Sequence, residues 1–115
     1  MKKTKTLFRP PEQLTGEVTE PTEAADVYGL GAILYTMLTW KNAPFDTNLP
    51  SEELMRRAAA GRIVPPRKAA PRGVIVPLEL EAVCLKAMAR DRHKRYQTVA
   101  DLLRDIRNYL CLLYT

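Results

Sequence analysis

The chain has 115 residues, with 18 Lys and Arg against 13 Asp and Glu (net charge +5), 46% hydrophobic residues, nine prolines and two cysteines. That length holds at most one domain and cannot hold a two-lobed enzyme; the apolar fraction and small net charge do not fit the signature of disorder. A single histidine, His93, excludes a histidine zinc cage, and Cys84 and Cys111 have neither CxxC spacing nor the density of a secreted disulfide framework, so a reducing, cytoplasmic setting is expected.

The amino terminus, Met1-Lys2-Lys3-Thr4-Lys5, is followed by no apolar h-region and is not read as a signal peptide. The first predicted helix starts near Thr22 to Ala25 and runs to about Thr39. It contains fourteen uncharged residues, Val27 to Trp40, which is too short for a membrane span and is interrupted by Gly29 and Gly31. Such a stretch predicts a helix buried nearly all round, with the glycines letting another backbone approach. The second helix follows Ser51 as N-cap, carries Glu52 and Glu53 in its first turn, and ends before Gly61. The third begins with Pro77 at its first position and places Leu80, Val83, Cys84, Ala87 and Met88 on one face. Thr98 and Asp101 resemble a capping box with Asp in place of Glu and open the fourth, with Val99, Leu102, Leu103, Ile106 and Leu110 facing inward. No strand is expected; Gly73 to Val76 is rich in β-formers but is stopped by Pro77, and reads as extended loop.

Familiar catalytic patterns are missing. Gly29 and Gly31 supply the start of a G-x-G-x-x-G phosphate loop, but position 34 is Leu and the context is helical. With one histidine, set in the basic run Arg90 to Arg95, a Ser-His-Asp arrangement has no support.

The informative residues are widely separated. They are Arg9-Pro10-Pro11-Glu12-Gln13-Leu14, the run from Asp26 to Tyr35 (DVYGLGAILY), Ala43-Pro44-Phe45, the run from Cys84 to Asp91 (CLKAMARD) and Lys94-Arg95-Tyr96-Gln97-Thr98. In this order and spacing they closely resemble the second half of the large lobe of eukaryotic-type serine/threonine protein kinases, particularly bacterial ones, over roughly residues 7 to 110. The resemblance implies an all-α helical fragment of the kinase C-lobe: the activation-segment end, the central helix and three following helices. Residues 1–110 would form this partial kinase domain. Residues 111–115 are read as a non-native tail, because Cys111-Leu-Leu-Tyr-Thr can be encoded by a string resembling a sequencing-library transposon end; the alternative is the ordinary end of the last helix.

The resemblance also assigns roles. Glu12 matches the glutamate closing the activation segment, which in the family pairs with an arginine matched here by Arg95. Asp26 matches the aspartate that supports the catalytic loop from the central helix. Phe8 and Leu14 fall near the pocket for the substrate residue after the phosphorylated one. The chain departs from the family pattern at Arg9, at Pro10 and at Thr4-Lys5-Thr6, which puts pocket details and any phosphosite at Thr4 or Thr6 in doubt; a loop from Trp40 to Ala43 that is one residue longer leaves the helical scaffold untouched.

The sequence has no glycine-rich loop, no His-Arg-Asp catalytic loop and no Asp-Phe-Gly. The expectation is therefore a fragment inactive alone, with no catalytic, cofactor-binding or metal-binding residue. The intact parent would use ATP and Mg²⁺ to phosphorylate Ser or Thr of protein or peptide substrates. The fragment's partners would be the missing N-lobe and catalytic loop. No membrane segment is expected in this chain, and the parent's anchoring is left open. The alternatives are a basic helical module binding nucleic acid or protein, disfavoured because the bases lie mainly in loops, and part of a pseudokinase.

Overall fold

The computed structural model describes residues 9–17, 20–40 and 48–113, and among these there is no strand. Among the described residues six α-helices follow in order: α1 (Pro11–Leu14), α2 (Glu23–Leu38), α3 (Ser51–Ala60), α4 (Pro66–Ala69), α5 (Leu78–Ala87) and α6 (Val99–Leu113), with a 3-10 turn at Arg92–Lys94 between the last two.

Local chemistry explains most of the boundaries. Thr22 is extended and its Oγ1 accepts from the Ala25 N–H at 3.0 Å, satisfying an orphan donor at the start of α2. The Asp101 N–H donates to Thr98 Oγ1 at 3.0 Å in the same way at α6. The reciprocal half of that capping box is absent, since the Asp101 carboxylate takes Arg104 at 3.2 Å instead. Two expected starts are corrected by one residue. Pro50, not Ser51, caps α3, and Pro77 caps α5, leaving Leu78 as its first residue. In both cases the proline is extended and its carbonyl receives the first helical bond, from Leu54 and Glu81 respectively. α3 ends where Gly61 turns left-handed at φ 68°.

The core lies between α2, α5 and α6. Val27, Val83, Ala87, Tyr96 and Leu102 form one buried cluster; Tyr28, Ala32, Tyr35, Cys84 and Met88 form a second, and Leu34 packs on both. Gly31 sets the closeness of the crossing, because a Cβ there would lie 2.8 Å from both Ala87 Cβ and Met88 Cγ. The Cys84 thiol donates to the Gly31 carbonyl across the same contact. A smaller cluster joins Leu54 and Ala58 of α3 to Leu14 of α1 and to Ile63.

Two expectations about burial are overturned. α2 is not buried all round: Leu30, Ile33 and Met37 are 37%, 49% and 69% exposed, a stripe at spacings of three and four. On α6, Leu103 and Leu110 are exposed, whereas Leu102 is buried and Val99 and Ile106 are partly so. Both helices have one face against the core, and no described element covers the other.

Candidate functional site

Arg95 leaves the 3-10 turn in an extended conformation, and its side chain is wholly removed from solvent. A guanidinium has five N–H donors in a fixed planar fork and no means of losing its charge. All five are used. Nε donates to the Ala89 carbonyl at 2.7 Å; Nη1 donates to Glu12 Oε2 at 2.7 Å and to the Ala24 carbonyl at 3.2 Å; Nη2 donates to Glu12 Oε1 at 2.7 Å and to the Arg90 carbonyl at 3.3 Å. The Tyr28 ring lies beneath, 5.0 Å from the guanidinium carbon.

Arg95 thus ties three parts of the chain together: α1 through Glu12, the start of α2 through Ala24, and the segment after α5 through Ala89 and Arg90. Glu12 is buried as well. Burial pushes its carboxyl up, but the Arg95 hydrogen bonds, its own backbone N–H and the charges of Arg95 and Arg92 outweigh that and hold it below the ordinary value. The arrangement is a bidentate ion pair with every remaining donor satisfied, the condition under which a buried pair is tolerated. Chemically it is a clamp: every N–H of the Arg95 guanidinium is already engaged.

The other residues singled out in the sequence lie elsewhere. Asp26 is exposed in the first turn of α2, where a carboxylate complements the helix dipole. It sits at the rim of an open, apolar cleft lined by Gly29, Leu30, Ile33 and Val99. Leu14 packs against Leu54 and Ala58 of α3. Phe8, Thr4, Thr6 and the Ala43-Pro44-Phe45 run lie outside the described residues. Sequence reasoning missed Ala24, Ala89 and Arg90 as members of the clamp, because they contribute backbone carbonyls, which any residue type carries.

Among the described residues no three His, Cys, Asp or Glu side chains gather where a metal could bind, and no helix is long and apolar enough to cross a membrane. Cys84 lies in the core, and burial, with some help from the Glu81 charge, pushes its thiol up to about 12, which disfavours the thiolate.

No family model matches the chain. Individual relatives do. The chain is 36% identical to the serine/threonine-protein kinase PknB of Mycolicibacterium smegmatis over 96 residues, covering 84% of this chain and 14% of that protein. It is 36% identical to the serine/threonine-protein kinase PknD of Protochlamydia amoebophila over 103 residues, 90% of this chain and 10% of that protein. With PknB of Mycobacterium leprae the identity is 34% over 96 residues. The chain therefore spans between a tenth and a seventh of the length of these relatives. Similarity to named serine/threonine-protein kinases across most of its length, joined to an all-helical architecture among the described residues, supports a helical fragment of a bacterial-type serine/threonine protein kinase.

Proposed function

We propose that this segment anchors the end of the activation segment and shapes the peptide-substrate site of a kinase that transfers the γ-phosphoryl group of ATP to Ser or Thr of proteins. The observation that carries the reading is the clamp. Glu12 stands where the family's activation segment closes, and its buried bidentate partner Arg95 stands 83 residues away on the helical scaffold. α1 is a single turn of four residues, and a fully satisfied ion pair supplies it with a fixed point.

The exposed stripe of α2 supports the same reading. Leu30, Ile33 and Met37, with Asp26 at its amino end, form an apolar face of the kind buried inside a larger domain. In this reading the catalytic loop would cover it, with Asp26 accepting backbone N–H bonds there. Phosphoryl transfer depends on positioning and charge stabilisation by groups that hold metal and phosphate. The segment supplies none of those groups, so the proposal includes no ATP binding and no phosphotransfer by the 115-residue chain alone.

The test is a replacement. Exchanging the aligned 96 residues of the M. smegmatis kinase for this segment should give a chimera that still phosphorylates Ser or Thr, whereas the isolated segment with Mg²⁺ and ATP should not. An inactive but folded chimera, or magnesium-dependent transfer by the isolated chain, would refute the reading.

A further inference from the structure

Gly61 ends α3 in the left-handed region, at φ 68°. Helix-ending glycines commonly do so for conformational reasons alone. This one has a second constraint. A Cβ on Gly61 would lie 2.7 Å from Arg90 Cβ, 2.8 Å from Arg90 Cγ and 3.3 Å from Arg90 Cα. These atoms form the root of the Arg90 side chain, so rotating the guanidinium away does not relieve the contact. The main chain has to move, either around Arg90 or at the end of α3.

The main chain around Arg90 carries two of the five acceptors of Arg95, the carbonyls of Ala89 and Arg90. The remaining links close a ring. Arg95 holds Glu12 of α1; two residues on, Leu14 packs on Leu54 and Ala58 of α3; and α3 runs on to Gly61, which abuts Arg90. α1 is thereby gripped at Glu12 and at Leu14 by two elements that also touch each other. A planar fork with fixed donor directions tolerates little displacement of its acceptors.

We infer that Gly61 is a positioning residue for the Arg95 clamp, and that the docking of α3 and the Glu12–Arg95 pair form one cooperative unit. The inference rests on the reading of Glu12 and Arg95 as an anchor and adds what sets the anchor's geometry.

The experiment is a carboxylate titration of Glu12 by carbon-13 NMR in the full 115-residue chain, with Glu12→Gln identifying the signal. Gly61→Asn introduces a Cβ while tolerating the left-handed backbone, and Arg90→Gly removes the atoms that Cβ would meet. Gly61→Asn should move the Glu12 midpoint upward as Arg95 is displaced, and the double variant Gly61→Asn/Arg90→Gly should return it to the value of Arg90→Gly alone. An unmoved midpoint in Gly61→Asn, or a shift that persists in the double variant, would overturn the coupling. Should Gly61→Asn fail to fold, recovery of a folded chain in the double variant supports the inference and continued failure overturns it. Arg95→Lys separates the two ideas: if it leaves both the Glu12 midpoint and the melting temperature unchanged, the anchor itself is wrong, whatever Gly61 does.

Discussion

Arg95 and Glu12 meet through two parallel hydrogen bonds of 2.7 Å, with the arginine side chain fully buried and the glutamate side chain 4% exposed. Both charges are almost wholly removed from solvent. Removing one partner leaves the other buried and unpaired, which costs about 3–5 kcal/mol in comparable settings. Arg95→Ala should therefore lower the melting temperature strongly. Arg92→Ala, three residues away and only partly buried, should change stability by about 0.5 kcal/mol or less. Equal effects in thermal unfolding would mean the pair is not what holds α1.

The same pair sets an acid limb. The Glu12 carboxyl titrates below its ordinary value of 4.5 when folded, so its contribution is complete above that value and is lost as pH falls through the folded one. Denaturant midpoints measured from pH 6 down to pH 3 should fall, and Glu12→Gln should flatten that limb while starting from a lower stability. An unchanged slope in Glu12→Gln would assign the acid sensitivity to other carboxylates.

Gly31 predicts a steric penalty where helix propensity alone predicts a gain. Alanine is favoured over glycine within a helix by about 1 kcal/mol, yet at Gly31 the added methyl meets Ala87 Cβ and Met88 Cγ at 2.8 Å. Overpacking of this kind costs about 1–3 kcal/mol. Gly31→Ala should be destabilising and Gly31→Val more so; a more stable Gly31→Ala would show that the α2–α5 crossing relaxes freely.

The two thiols should separate cleanly. Cys84 is buried with its thiol pushed up to about 12, and Cys111 is exposed on α6. Under native conditions at pH 8, iodoacetamide should label Cys111 alone, with Cys84 reacting only in denaturant. Rapid native labelling of Cys84 would indicate that α2 and α5 open readily.

Much of the helical scaffold was legible because its boundaries are written in side-chain chemistry: Thr22, Gly61 and Thr98 mark the ends of α2, α3 and α6 as expected. The one-residue shifts at Ser51 and Pro77 arose because an extended proline takes the half-helical position in both places. α1 and α4 are single turns opened by Pro11 and Pro66, too short for any periodic signal. The charge-free run of α2 and the apolar spacing of α6 found their apolar residues but overstated burial at Leu30, Ile33, Met37, Leu103 and Leu110, because such patterns report which residues are apolar and not whether a neighbour is present. The Glu12–Arg95 contact came from resemblance to a family, since nothing in local chemistry links residues 83 positions apart. The carbonyls that complete it, from Ala24, Ala89 and Arg90, could be found only in three dimensions.

The most direct test of the anchoring role is a double-mutant cycle in the kinase chimera, reading the rate of Ser/Thr phosphorylation for Glu12→Gln, Arg95→Met and the two combined. If the residues act as one unit, each single change lowers the rate and the double change is no worse than the more damaging single one. Full activity in both single variants, or losses that simply multiply in the double, would contradict the account.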